Sequence, residues 1–235
     1  MEPHVLLRLA LEEAVALRRL NRFVVEASTP LGTLRLHTRN TGRLVDLIYP
    51  GSTLLYAPRE RGRTRGVIVA VRVGEEAAAI IDPATQAAAF EEAWARGLVG
   101  WLRGWRASAR ETRYRGSRID YAIEGPGGWG LLELKSAVYL SREGLCMYPD
   151  TVSERGRRHV EALAEAARSG LRAVIAFVAA HPLCTGFRPC CEVDPQLCTL
   201  LREAREAGVE VYATKMHLRR GEIILDTDSL PVRLE

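Results

Sequence analysis

The sequence predicts a two-domain α+β chain, a small amino-terminal β-barrel followed by an α/β domain, on three observations. Short β-rich runs separated by turn residues fill the first eighty positions. From Pro83 the apolar residues switch to helical spacing, which sets the boundary at about Asp82 and gives domains of residues 1–82 and 83–235. Beyond it, helices alternate with apolar runs of the kind buried on both faces of a sheet.

Five barrel strands are expected, at Arg22–Ala27, Thr33–Thr38, Arg43–Ile48, Thr53–Ala57 and Val67–Val73, with Gly32, Gly42, Pro50-Gly51 and Pro58 between them. The helix from Pro83 puts Ala87, Phe90, Trp94 and Leu98 on one face and ends near Gly97 or Gly100. Strands follow at Ala109–Tyr114, Arg118–Glu124 and Gly130–Val138, the last two joined by the turn Gly125-Pro126-Gly127-Gly128. A helix capped by Ser153 buries Val160, Leu163, Ala164 and Ala167 and stops at Gly170. Strand Ala173–Val178, a helix from Asp194-Pro195 to Ala207 and strand Val209–Thr214 complete an αβββαβαβ order.

An apolar fraction of 47% with 26% charged residues excludes disordered and collagen-like chains. The longest strongly apolar stretch, Ala173 to Ala180, is far short of the roughly 18–20 residues of a membrane helix, and no secretory pattern precedes Glu12-Glu13. A soluble, cytoplasmic protein without a membrane partner is expected; oligomeric state is not legible. Of the 33 basic residues only Lys135 and Lys215 are lysine, leaving 31 arginines. Arg59, Arg61, Arg63 and Arg65 crowd one barrel loop, either as a solvated loop or as guanidinium groups that follow a phosphate backbone. Cys146, Cys184, Cys190, Cys191 and Cys198 lack the C-x2-C knuckle of a strong zinc site. Buried thiols are expected, with a disulfide from Cys184 to Cys190 or Cys198 as the alternative.

Gly125-x-Gly127-x-x-Gly130 matches a dinucleotide fingerprint in letters, but a strand follows the glycines where the fingerprint needs a helix, so it reads as a hairpin turn. The chemistry concentrates in Asp120 and in Glu133-Leu134-Lys135 across that hairpin. Alternation along a strand puts Glu133 and Lys135 on one face, with Asp120 in reach on the paired strand. Either this is a cross-strand ion pair on an exposed face, or a divalent cation balances two carboxylates. Mg2+ or Mn2+ would suit Asp120, Glu133 and a backbone carbonyl such as that of Leu134, with Lys135 positioning water or stabilising a phosphate. In a chain that uses arginine for nearly every cation, a lysine two places from a glutamate favours chemistry. His159 and His181 are assigned no role.

The segments Asn21-Arg22-Phe23, Asn40-Thr41-Gly42-Arg43, Pro50-Gly51-Ser52, Ser117-Arg118-Ile119-Asp120-Tyr121, Glu133-Leu134-Lys135-Ser136, Tyr148-Pro149-Asp150, Ser153-Glu154-Arg155-Gly156 and Gly208-Val209-Glu210-Val211 resemble the sugar fermentation stimulation protein A family. The resemblance spans most of the chain. It implies an OB-like amino half, a PD-(D/E)xK nuclease-like carboxyl half and DNA binding. It carries Asp120, Glu133 and Lys135 onto metal and catalytic roles, and implies that Glu154, at the start of the following helix, sits near the centre, with Glu111 a further candidate. Nucleic acid would meet Arg22, Asn40, Arg43, Arg61, Arg63, Arg65 and Arg118, with Phe23, Tyr49 and Tyr56 as stacking candidates, although Phe23 suits the core equally and Asn40 suits a turn cap. RNA fits the barrel equally, and a non-catalytic regulator of sugar-metabolism genes is the alternative function. One departure stands out: the family's His-x-Pro-Asn-Thr-Gly is here His37-Thr38-Arg39-Asn40-Thr41-Gly42, a cation in place of a proline.

Overall fold

The computed structural model describes residues 4–234. After β1 (His4–Arg8), five strands form the barrel: β2 (Glu12–Asn21), β3 (Val24–Thr29), β4 (Gly32–His37), β5 (Thr53–Pro58) and β6 (Gly66–Arg72). Antiparallel pairs β2–β3, β3–β4, β2–β5 and β5–β6 are closed by a short parallel bridge, Leu36 opposite Gly66 and His37 opposite Val67. Period-two alternation fills the interior with Ala14, Ala16, Val25, Ala27, Leu36, Leu54 and Ile68, while Val15 and Leu17 face outward. Closure requires a glycine at position 66, because a Cβ there would lie 2.5 Å from the Tyr56 ring and 2.7 Å from the Ala57 carbonyl.

The strand expected at Arg43–Ile48 is absent. Leu44 sits at φ 50°, and its carbonyl accepts from the amides of Leu47 (3.1 Å) and Ile48 (2.7 Å), so the segment is a turn burying Leu44, Leu47 and Ile48. That i, i+3, i+4 spacing belongs to a helical turn. The fifth barrel strand is β2, whose core face carries only the small Ala14 and Ala16, with Val15 and Leu17 on its outer face.

The barrel wall continues into the second half of the chain. From β6 the sheet passes through β7 (Ala77–Ile80), β15 (Glu210–Arg219), β13 (Arg172–Ala179), β10 (Gly128–Ser136) and β9 (Ser117–Gly125) to an edge strand, β8 (Arg106–Tyr114). Strand β16 (Glu222–Thr227) pairs with both β15 and β1. A separate small sheet holds β11 (Tyr139–Leu140), β12 (Leu145–Tyr148) and β14 (Gly186–Pro189). The order after residue 82 is therefore richer than αβββαβαβ; the added strands are short or lie at the ends of the chain.

Strand β13 is buried on both faces. Its Val174, Ala176 and Val178 join one core with α1 (Pro83–Ala95), and its Ile175 and Phe177 join another with α2 (Glu154–Arg168) and α3 (Pro195–Glu206). Each helix starts on a side-chain cap: Asp82 accepts from the Thr85 amide, Ser153 from Gly156 and Asp194 from Leu197. Helix α1 stops at Ala95 and buries Gln86, Ala89, Phe90 and Ala93, a face rotated from the expected one. Trp94 instead lies half-buried at its side, donating from Nε1 to the Trp105 carbonyl at 2.9 Å. Cys191 and Cys198 form a disulfide, which corrects the pairings expected for Cys184; Cys146, Cys184 and Cys190 are buried thiols, and the Cys184 thiol donates to the Gly186 carbonyl. Among the described residues no helix is long and apolar enough to cross a membrane.

Candidate metal centre

The hairpin ladder of β9 and β10 runs from Gly125 opposite Gly128 to Tyr121 opposite Leu132 and stops there, whereas β10 stays paired with β13 as far as Ser136. Beyond the last rung, side chains take over the backbone donors. The Asp120 amide donates to Glu133 Oε2 (3.0 Å) and the Leu134 amide to Asp120 Oδ2 (2.9 Å). Because the N–H and C=O of one strand residue point to the same side, the Leu134 carbonyl faces the same opening. Two carboxylates and a carbonyl thus converge where the strands part.

Glu133 is almost wholly buried, at 2% exposure. Its Oε1 is contacted by Lys135 Nζ and by His159 Nδ1, which lie 3.1 Å apart, and Arg155 Nε donates to His159 Nε2 at 3.3 Å. With Nε2 accepting from Arg155, the proton of a neutral ring sits on Nδ1 and points at Glu133. Burial would raise the Glu133 pKa, but the Lys135 ammonium and His159 outweigh it and hold the carboxyl below the usual glutamate range. Asp120 goes the other way: burial first, then the Glu133 charge, push it up to about 6 against the Leu134 amide and Lys135. The cationic partners thus cluster on the Glu133 side, and the Asp120 side carries negative charge that burial disfavours. An all-oxygen donor set in that state fits a hard divalent cation.

The centre opens into a cleft of about 280 Å3 lined by Pro83, Gln86, Glu111, Asp120, Leu134, Lys135 and Ser136. Gln86 spans its wall, donating to Ser136 Oγ (2.9 Å) and the Ile80 carbonyl (2.6 Å). Glu111 sits between the rungs Arg110–Tyr121 and Thr112–Ile119, opposite Asp120, with φ at 53° and an ion pair to Arg118 at 3.5 Å. The fold therefore brings together Asp120, Glu133, Leu134 and Lys135, with Glu111 at the cleft and Arg118 reaching it only through its ion pair with Glu111. Glu154 is exposed in the first turn of α2, and its side chain makes no hydrogen bond or ion pair among the described residues. The same helix delivers His159, which sequence reasoning passed over. Its signal was position: His159 lies on the buried stripe with Gly156, Val160 and Leu163.

The barrel residues lie apart from this cluster. Asn40 spends its side chain on a turn, donating to the Ile81 carbonyl (2.9 Å) and accepting from the Gly42 amide (2.9 Å). With Thr41 and Gly42 it lines a recess of about 140 Å3 that shares Ser136 with the cleft at Asp120. The Arg22 guanidinium lies 4.7 Å from the Phe23 ring, and the Arg43 carbonyl accepts from Arg19. Arg61, Arg63 and Arg65 occupy the β5–β6 loop, where Arg63 and Arg65 edge an open groove of about 870 Å3 that also contains Glu12, Glu13 and Glu26. Tyr49 is exposed, but Tyr56 is buried, donates to Glu12 and is pushed up to about 12 by burial and that carboxylate, which corrects its expected stacking role.

Two family models match the chain: the SfsA N-terminal OB domain over residues 17–80 and the sugar fermentation stimulation protein RE domain over residues 84–222. A sugar fermentation stimulation protein homolog of Pyrococcus furiosus is 41% identical over 212 residues, covering 89% of this chain and 91% of its own. A homolog of Pseudomonas savastanoi pv. phaseolicola is 32% identical over 222 residues, covering 92% and 94%. The solved structure of Pyrococcus furiosus SfsA in complex with Ca2+ matches with a TM-score of 0.93 at 38% identity, over 98% of this chain and 99% of that one. The five-stranded barrel is an OB fold joined to an α/β domain, and the chain belongs to the sugar fermentation stimulation protein family.

Proposed function

We propose that this chain is a cytoplasmic DNA-binding protein that hydrolyses phosphodiester bonds at a nuclease-like divalent-cation centre held by Asp120, Glu133 and the Leu134 carbonyl. The observation that carries the reading is the end of the β9–β10 ladder, where two carboxylates and a carbonyl face one opening beside Lys135. Mg2+ or Mn2+ suits these oxygen donors, as does the Ca2+ of the Pyrococcus furiosus relative. When bound, the cation supplies positive charge against the phosphate and makes water more acidic.

The protein's own residues do the rest. His159, held by Arg155, fixes Glu133 in place. Lys135 supplies a compact positive charge at the cleft floor, placed to stabilise charge developing on the phosphate. Arg118, paired with Glu111 beside the cleft, would follow the backbone of the strand together with Arg22, Arg43, Arg61, Arg63 and Arg65 on the barrel. A second reading, a non-catalytic DNA-binding regulator of sugar-metabolism genes, is favoured by one observation: Lys135 and His159 already occupy Oε1 of Glu133.

Incubation of end-labelled single-stranded, duplex and branched DNA and matched RNA with Mg2+ or Mn2+ separates the two. Metal-dependent cutting lost in Glu133→Ala and Lys135→Ala is the expected result. No cutting, with binding intact in all three proteins, would leave the regulator.

A further inference from the structure

A second recess, about 360 Å3, adjoins the metal cleft and is walled by Trp94, Trp105 and Tyr121, with Glu91, Arg106 and Arg110 at its rim. Tyr121 and Arg110 line both cavities, so the two form one surface. The walls are held firmly. Trp94 is bonded to the Trp105 carbonyl and stands edge-on to Tyr121, with centroids 6.1 Å apart at 84°. The Tyr121 hydroxyl donates to Glu91 at 2.7 Å, and Arg110 donates to the other oxygen of that carboxylate at 2.5 Å. The Arg172 guanidinium lies 4.7 Å from the Trp105 ring, and a Cβ at Gly125 would come within 2.6 Å of that indole. Yet Trp94 and Trp105 remain only half-buried, leaving indole surface open next to cations.

We propose that this recess receives the base of the nucleotide adjoining the scissile phosphate, so that the substrate is a strand unpaired at that position. The inference rests on the nuclease reading above. Three features converge on it: the half-exposed indoles of Trp94 and Trp105, which can stack on any base while buried Tyr121 closes the floor, the rim guanidiniums of Arg106 and Arg110, which would exchange Glu124 and Glu91 for the flanking phosphates, and continuity with the Asp120 cleft through Tyr121 and Arg110. A paired base is committed to its own stack and must leave it to enter a side pocket. Exposed edge strand β8, which carries Arg106 and Arg110, leaves the approach open.

The test compares binding of a labelled single-stranded oligonucleotide with that of an abasic oligonucleotide of equal length, by anisotropy in Ca2+, for the full chain and two variants. Trp94→Ala removes one wall, and Ala107→Phe fills the recess from an exposed lining position, so that folding is not at stake. The preference for bases is expected to fall about tenfold in both variants. Duplex binding and Ca2+ affinity should stay within twofold of wild type. An unchanged preference in Ala107→Phe would overturn the proposal, as would a mononucleotide that binds as tightly as the oligonucleotide. If the wild type cuts while that preference is unchanged, only the recess is refuted; if it neither binds nor cuts nucleic acid, the nuclease reading falls first.

Discussion

Lys135 is one of two lysines among 33 basic residues, and its ammonium packs against Glu133 and within 3.1 Å of His159 in a space with only 10% side-chain exposure. A planar guanidinium is larger and directional, so Lys135→Arg should cut cleavage at least about a hundredfold while leaving Mn2+ affinity within severalfold, read by single-turnover cutting and calorimetry. Asp120, Glu133 and Lys135 were legible because a hairpin turn and strand alternation bring them together from local sequence alone. His159 was not, because its approach to β10 depends on how α2 packs across the sheet. His181 shows a second kind of hidden chemistry. Burial, and then Lys215, push its pKa down to about 4. The unfolded chain therefore binds a proton that the folded one resists: the stability at stake is fully present above about pH 6.5 and is lost as pH falls towards 4, roughly 3 kcal/mol in all. His181→Asn, which can still accept from the Leu183 amide, should flatten the dependence of melting temperature on pH in that window.

At the scale of the element, Arg39 explains a departure that the sequence displayed without its reason. The cation that replaces the family's proline donates from Nε to Asp82 Oδ1 at 2.6 Å and from Nη2 to Oδ2. Asp82 is fully buried and caps α1, so Arg39 ties a barrel loop to the start of the helix that forms one wall of the cleft at Asp120 and Lys135. Arg39→Ala should destabilise the protein by about 1–3 kcal/mol in urea unfolding, since Asp82 keeps its Thr85 partners but loses its counter-charge. The remaining elements divide by how local their signals are. Helices α2 and α3 were readable from their caps. Strand β2 was not, because its core face is two alanines, and the Arg43–Ile48 turn passed for a strand because short apolar runs serve either form. Cysteine pairing was closed to sequence for a different reason: Cys191 in the loop before α3 meets Cys198 in that helix's first turn, which spacing alone does not reveal.

At the scale of the whole molecule, the barrel and the α/β half are one continuous sheet, joined through β6, β7 and β15 and sharing a core that runs from Val25 and Leu54 to Val174 and Leu218. The fold class was legible in the sequence, whereas this junction was not, since Ala77–Ile80 is too short to read as a strand. A barrel fixed to the α/β half places its arginine loop at a set position relative to the cleft. Replacing Arg61, Arg63 and Arg65 together with alanine should lower the slope of log affinity against log salt for single-stranded DNA by about 2, weakening all sequences alike. Every role proposed for the cleft depends on a cation in the opening between β9 and β10. The most direct test is anomalous diffraction from crystals equilibrated with Mn2+, for the wild type and Asp120→Asn. A single strong peak in contact with Asp120, Glu133 and the Leu134 carbonyl, absent in the variant, is the predicted result; a wild-type map with no peak there, while the cluster is ordered, would contradict it.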